Sequence, residues 1–233
     1  MKKIIYIYAS ILLVATWSCK KFVQIDPPRT SLVATTVFND DATATAALMG
    51  VYSSMSNSDS YSMALDNGLS ADEFTSYSSD AVRGEFFSNS VTANNAAVRI
   101  SLWGHLFQHI YEVNSIIEGI NHSPSISDAV RQQLLGEAYF LRAFWNFYLA
   151  NMFGDIPIID TTLYLENMSL ARTAKSEVTN RIITDITKAI SLLTVDYKNG
   201  RNNNTTERVR PNVFTAKALL ARVYLYAKNW ASA

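Results

Sequence analysis

The chain has 233 residues, 48% of them hydrophobic and 12% aromatic, enough apolar material for one large or two small domains, which excludes disorder over most of its length. Lys plus Arg and Asp plus Glu both total 20. With no net charge and no basic run, the sequence lacks the electrostatic footprint of a nucleic-acid-binding protein.

Residues 1–18 read as an export signal: Lys2 and Lys3, an apolar run from Ile4 to Ala15, then small or polar residues before a cysteine. The run is shorter than the roughly 20 residues a membrane-spanning helix needs, so it targets the chain rather than spanning a bilayer. Cys19 is the single cysteine, so no internal disulfide can form. Thr16, Trp17, Ser18 and Cys19 resemble a bacterial lipobox, in which the cysteine thiol takes a diacylglycerol and becomes the new N-terminus. Thr16 stands where Leu is usual and Trp17 is bulky for its place; an ordinary signal peptide with an incidental cysteine is the other reading. Acyl chains on Cys19 anchor a protein stably, because each buried CH₂ contributes about 0.8 kcal/mol. Residues 19–39 then form a lipidated N-terminus and tether, in which Asp26, Pro27 and Pro28 disfavour helix. Residues 40–233 form the body.

In the body, Asp40 or Asp41 can cap a first helix whose Thr45, Leu48, Tyr52 and Met55 share a face. Ser53 to Asn95 is rich in Ser, Asn and Asp with scattered aromatics, and reads as long loops with short elements. Loops of this length in a compact body are often functional, which makes this the candidate ligand-facing segment; a solvated decoration is the alternative. Trp103, Leu106, Ile110, Val113, Ile117 and Ile120 recur at alternating spacings of three and four, an amphipathic helix whose stripe needs a partner. Ser125, three before Asp128, is a relative of the capping box and opens a helix that runs to Met152.

That helix carries two apolar rows. Leu134, Ala138, Leu141, Trp145, Tyr148 and Met152 form one, and Phe140, Phe144 and Phe147 another, so it is a hub clasped between neighbours, with Trp145 in the core. Gly154 follows as a left-handed cap and Pro157 prevents resumption. Thr173 or Ser176 can cap the next helix, whose Ile182, Ile186, Ala189 and Leu193 share a face. Asn199 to Thr206 is a polar turn. Pro211 suits the first turn of a final helix in which Phe214, Ala218, Ala221 and Leu225 share one face.

Little of this points to catalysis. His105 and His109 have metal-ligand spacing on a helix, but Leu106 stands where the metalloprotease pattern needs Glu, so a structural or solvated role is expected. No Gly-rich phosphate loop and no G-x-S-x-G elbow occurs. Asp66, Asp72, Glu73, Asp80 and Glu85 make an acidic cluster that fits no calcium loop and is read as solvated, with a glycosidase pair as the alternative. Tyr61, Phe74, Tyr77, Phe86 and Phe87 punctuate the same region. Sugars present flat C–H faces to aromatic rings and hydroxyls to Asp, Asn and Arg, whereas Phe86 and Phe87 are expected to pin the loop to the core.

Several stretches carry a family resemblance, and their order matches too. The N-terminal cysteine with its proline-containing tether, AALMGVY at 46–52, WGHLFQHIYEVNSII at 103–117, LGEAYFLRAFWNFYLANMFGDIPI at 135–158 and RPNVFTAKALLARVYLYAKNWASA at 210–233 resemble the SusD/RagB starch-utilisation lipoproteins. Leu135, Gly136 and Tyr139, and again Leu220, Ala221 and Tyr224, repeat the L-G-x-x-Y spacing of tetratricopeptide repeats, the second with Ala for Gly. The resemblance implies an all-α fold of tetratricopeptide-like helix pairs with long irregular loops. It also implies that the chain is the N-terminal portion of a longer protein, truncated at its C-terminal end. The function implied is a surface-exposed, non-enzymatic outer-membrane lipoprotein; no cofactor is expected, and no metal-ligand set is read from the residues. It binds an oligosaccharide or other nutrient and delivers it to a TonB-dependent, SusC-like transporter. Binding residues differ among family members, so the candidates come from the loop itself: Tyr61, Phe74, Tyr77 and Asp72. The alternatives are a helical-repeat scaffold lipoprotein without a glycan site and a glycan hydrolase using loop carboxylates such as Asp72 and Glu85.

Anchoring is expected to depend on Cys19. Cys19→Ser removes the sulfur needed for the thioether, so labelling with a palmitate analogue should vanish; undiminished labelling would contradict the lipobox assignment.

Overall fold

The computed structural model describes residues 37–56 and 60–233; the expected export signal at 1–18, Cys19 and the expected tether up to residue 36 lie outside the described residues. The body is helical. α1 (Asp41–Ser54), α2 (Ser60–Ser70) and α3 (Ala81–Phe87) precede a π-helical stretch, Ala97–Gly104, that runs directly into α4 (His105–His122). α5 (Asp128–Phe153), the four-residue α6 (Tyr164–Asn167) and α7 (Lys175–Leu192) follow. A two-stranded antiparallel hairpin, β1 (Tyr197–Lys198) and β2 (Asn204–Thr205), leads to α8 (Val213–Tyr226). Among the described residues, no helix is long and apolar enough to cross a membrane.

α5 is the hub expected from its two apolar rows. Leu134, Ala138, Leu141 and Trp145 are buried from the first row, and Phe140 and Phe147 from the second. Trp145 is 1% exposed, with its ring stacked on His109 of α4. α4 and α7 both pack on α5, α1 lies against α4 and α5, and α8 packs on α7. The α4 stripe is buried as its periodicity predicts, through Leu106, Ile110, Val113, Ile117 and Ile120. Trp103 falls in the π-helical stretch, where its ring meets Phe107 and Phe153. Ile182, Ile186, Ala189 and Leu193 bury the matching face of α7. Gly136 explains why the L-G-x-x-Y spacing carries a small residue: a Cβ there would lie 2.9 Å from Leu193 side-chain atoms.

Several ends differ from the sequence reading. Gly154 has φ 73° and ψ −116°, so it closes α5 in a glycine quadrant outside the left-handed helical region. Ser127 caps α5 but makes no side-chain cap bond. Its N–H and Oγ instead donate to the Asp41 carboxylate at 2.8 and 2.6 Å, tying α5 to α1. Neither Thr173 nor Ser176 caps α7; the cap position is Ala174, while Thr173 N–H donates to the Ile156 carbonyl in an isolated bridge. Pro211 lies outside α8, whose cap is Asn212 in a capping box with Thr215. The polar turn at 199–206 follows β1 and contains β2 of the small hairpin. The row Phe214, Ala218, Ala221 and Leu225 faces solvent; α8 buries Ala216, Leu219 and Val223 instead. A helix apolar on more than one side offers two candidate faces, and periodicity alone does not choose between them.

Two ion pairs are buried around the hub. Arg142 of α5 donates from Nε and Nη2 to both Asp185 oxygens of α7, at 2.8 and 2.7 Å, and from Nη1 to Asn114 of α4 at 3.0 Å. Asn114 in turn donates to the Ile159 carbonyl, fastening the strand-like segment after Gly154. One turn and a half earlier, Glu137 accepts from Arg210 at 3.0 and 2.6 Å, from Tyr52 of α1 at 2.8 Å and from Gln133 at 2.6 Å. Arg210 also reaches Asn202 in the hairpin turn, and Asn202 donates to Thr45.

Removing one partner of such a pair leaves the other poorly compensated; without Arg142, Asp185 keeps Arg181 Nη2 at 3.7 Å. Arg142→Met should therefore cost about 3–5 kcal/mol in urea denaturation. Adding Asp185→Leu should recover much of that loss, because the second change removes a buried carboxylate left with one distant cation.

Candidate functional site

The segment between α1 and α4 folds on a core of its own. Leu69, Phe86, Ala97 and Leu102 are buried together, with Met63, Leu65, Val82 and Val98 around them and Met152 and Phe153 from the last turn of α5 beneath. α2 and α3 are the short elements expected in this region, and the irregular loop 71–80 joins them.

The acidic residues of this segment divide by role. Asp80 caps α3, its Oδ1 accepting from Val82 N–H at 2.9 Å while Oδ2 meets Arg83 at 3.3 Å. Glu85 accepts from the Asn95 side chain and from both the N–H and Oγ1 of Thr92, at 3.0, 2.8 and 2.9 Å. Those donors hold its carboxyl below the usual range, the Asn95 amide contributing most. Asp66 is 0% exposed, 3.4 Å from Arg83 Nε, and neither of its oxygens makes a hydrogen bond. Burial pushes its carboxyl up, against the pull of Arg83. Asp72 and Glu73 remain on the surface, Asp72 with φ 57°. The solvated reading of the cluster therefore holds for those two, while Asp66, Asp80 and Glu85 are structural.

Of the candidate ligand residues, Tyr77 is 96% exposed in loop 71–80. Phe74, 45% exposed, presents part of its ring to solvent while the rest lies on Gly68 of α2, where no Cβ would fit. Phe74, Tyr77 and Asp72 thus share one exposed loop. Tyr61 falls in the first turn of α2, and its side chain lies outside the described residues. Phe86 is buried and does pin the segment to its core, whereas Phe87 is 40% exposed. Sequence reasoning missed Arg83 and Asn95. Asn95 accepts from the N–H groups of Ala97 and Val98 and donates to the Val82 carbonyl, so it joins the π-helical stretch to α3. Its signal was an Asn just ahead of an apolar run, the ordinary mark of a cap.

Two larger concavities lie elsewhere. One, about 280 Å³, has an apolar floor of Tyr52, Met55, Phe140 and Phe144 under Val209 and Pro211. The other, about 450 Å³, runs between the starts of α1 and α5 and the hairpin turn, past Asp41, Thr45, Val130 and Asn202. His109, which the sequence paired with His105, is buried with Nδ1 3.0 Å from Glu112. Among the described residues, no group of three or more His, Cys, Asp or Glu is arranged to hold a metal ion.

A carboxylate whose folded pKa is depressed adds stability above its ordinary pKa and loses it as pH falls. Glu85→Gln should thus melt below the parent at neutral pH, with the difference narrowing once pH drops below 4.5, the ordinary value for Glu; thermal melts across that range check it.

Residues 21–225 match the family model described as SusD-like, starch-binding associating with outer membrane. The chain is 24% identical over 238 residues to SusD-like protein P25 of Formosa agariphila, covering 97% of this chain and 43% of that protein. The crystal structure of a SusD-like protein from Bacteroides fragilis superposes with a TM-score of 0.72 at 24% identity, over 89% of this chain and 39% of that one. A laminarin-binding SusD-like protein superposes with a TM-score of 0.65 at 23% identity, over 81% and 41% respectively. The chain spans under half the length of each of these three.

Proposed function

Because the chain belongs to the SusD-like family, we propose that it is part of a surface-exposed lipoprotein that binds an oligosaccharide and passes it to a TonB-dependent, SusC-like outer-membrane transporter. The observation that carries this reading is the family match across residues 21–225, nearly the whole chain after the export signal. Loop 71–80 supplies a platform of the right chemistry. The Tyr77 ring is free on both faces for a sugar, Phe74 adds part of a second ring, and Asp72 offers acceptors for hydroxyls. Lipidation at Cys19 would keep that platform at the cell surface.

A hydrolytic role fits the carboxylates poorly. A glycosidase needs one carboxyl that holds its proton and a second acting on the same bond. Glu85 is held below its usual range by three donors, so it is a poor acid. Asp66 is pushed up, but it is wholly buried and no glycosidic oxygen can reach it. The reading is therefore of a binding protein. A second reading, a scaffold that binds protein and no glycan, draws on the exposed apolar side chains of Leu163, Tyr164, Leu165 and Met168 around α6.

Glycan arrays and pull-downs with the full-length protein separate the two readings. Binding of a glycan together with recovery of a TonB-dependent transporter supports the first; a silent array favours the second. For a glycan so identified, Tyr77→Ala should weaken affinity about three- to tenfold, the worth of one aromatic stack, with melting unchanged. Trp145→Ala should instead cost about 3–5 kcal/mol of stability through its lost burial. If Tyr77→Ala binds normally while Trp145→Ala melts like the parent and loses the ligand, platform and core have been assigned the wrong way round.

A further inference from the structure

Arg83 stands at an unusual junction. Its Nε lies 3.4 Å from Oδ1 of the fully buried Asp66 in α2, and its Nη1 lies 3.3 Å from Oδ2 of Asp80, the residue that caps α3. The guanidinium therefore closes a ring in the chain. Asp66 sits on one side, Asp80 and Arg83 sit on the other, and loop 71–80 is the exposed span between them.

The bonds within that span are local. Glu73 and Phe74 N–H groups donate to the Gly68 carbonyl at 2.9 and 3.3 Å, which together with the Phe74 ring on Gly68 pins the start of the loop to the end of α2. Ser78 N–H reaches Ser76 Oγ at 3.3 Å, and Asp80 N–H reaches Ser78 Oγ at 3.1 Å. Such two-residue turns shape the loop, yet they do not fix where it stands relative to α2. Apolar packing of Met63, Leu65 and Leu69 on Val82 and Phe86 holds α3 against α2, and the polar tie added to it is Asp66 to Arg83.

As a source of stability that link is poor. Asp66 is removed from water, neither oxygen makes a hydrogen bond, and Arg83 Nε is likewise buried without one. A buried carboxylate answered by one imperfectly placed cation is, for stability alone, worse than a packed apolar side chain. What the pair supplies is geometry. Apolar contacts let α3 slide on α2, whereas the pair sets the register of α3, and with it the far end of the loop, against α2.

We propose that Arg83, held by the buried Asp66, is a positioning residue for the glycan platform, fixing loop 71–80 so that Tyr77 presents its ring in one orientation. The role assigned to the loop rests on the function proposed above, whereas the latch itself does not. Arg83 acts through the loop and is not assigned a contact with the sugar. A binding ring on an unlatched loop must be ordered each time a ligand arrives, so the pair removes an ordering cost from binding.

Amide hydrogen exchange on the full chain tests the latch without any ligand. Asp66→Leu replaces the buried carboxylate with a side chain of similar size, so the melting temperature should stay at or above the parent's. The bonded amides at the two ends of the loop, Glu73 and Phe74 on the Gly68 carbonyl and Val82 and Gly84 on Asp80, should nevertheless exchange about tenfold faster, with α5 unchanged. Arg83→Met should do the same, and Arg83→Lys, which keeps a cation, should restore at least half of the protection. Unchanged exchange at Glu73, Phe74, Val82 and Gly84 in both Asp66→Leu and Arg83→Met overturns the proposal, whether or not a glycan binds.

The positioning role is then read from affinity for maltoheptaose and for laminarin oligosaccharides. Arg83→Met should weaken binding of whichever probe the parent takes, and Tyr77→Ala should cost little more in the Arg83→Met background than the latch variant alone, a coupling of about threefold or greater. Full additivity of the two changes overturns positioning through Tyr77. If the parent binds neither probe, the glycan reading is what suffers for those sugars, and the exchange result still decides the latch.

Discussion

The two buried ion pairs of α5 set the arrangement of the body around it. Glu137 and Arg142 lie five residues apart on one helix and point to different partners, Arg210 ahead of α8 and Asp185 in α7. A charge inside a packed core tolerates one position of its counter-charge, because displacement of an ångström or two leaves both desolvated and unpaired. Apolar contacts between α5 and its neighbours are more forgiving, since a helix can slide by part of a turn and still bury similar area. The pairs therefore supply register where the apolar rows supply adhesion. The Asn114 bridge extends the same control to the segment after Gly154, and the Asn202 bridge extends it to the hairpin and to α1.

This accounts for which parts of the fold were legible. The hub, the α4 stripe and the buried face of α7 each announced themselves, because a periodic apolar row has one cheap solution, which is to face a partner. The helix ends were less legible. Ser127 spends its hydroxyl on Asp41 of another helix rather than on its own first turn, and Asn212, not Pro211, begins α8. Both outcomes depend on a neighbour brought close by the tertiary fold. The final helix shows the limit of periodicity: α8 has apolar residues on opposite faces, and the positions of α7 and α5 select Ala216, Leu219 and Val223 for burial. The stretches that carried the family resemblance contain the charged residues whose purpose sequence left unread. GEAYFLRA holds both Glu137 and Arg142, and RPN holds Arg210 with the Asn212 cap. No pattern within one chain pairs Arg142 with a residue 43 positions away.

The candidate platform was legible in part, for a related reason. A stretch with aromatic and acidic residues but no period predicted exposed chemistry, and Tyr77 and Asp72 are exposed. That same irregularity concealed a small core. Leu69, Phe86, Ala97 and Leu102 come from three different elements, so no window of sequence contains a stripe. The acidic residues likewise look equivalent in sequence. Asp80 serves a helix cap, Glu85 a loop closure and Asp66 a buried pair, distinctions set entirely by which donors the fold brings near.

The two cores share Met63 of α2 and Met152 and Phe153 of α5, and this gives the hub a second duty. Met152 and Phe153, in the last turn of α5, pack against both the main core and the small core under loop 71–80. The Asn67 amide of α2 contacts Met152 Sδ at 3.9 Å, and Phe153 meets Trp103 edge-on. Arg172 lies over the Trp103 ring and donates to the Asp155 carbonyl just past Gly154, so the end of α5 is clamped from two sides. The small core under the candidate platform therefore packs on the C-terminal turn of the hub, while the Glu137 cluster lies several turns away on the same helix. A rigid helix transmits a shift of its end directly to whatever packs there, but a rearrangement around Glu137 reaches the platform only by moving α5 as a whole. The Arg142 pair opposes that movement by holding α5 to α7 between the two places. Packing of the body can thus vary near α1 and the hairpin with little consequence for loop 71–80, whereas changes at Met152, Phe153 or Trp103 act on the platform's foundation.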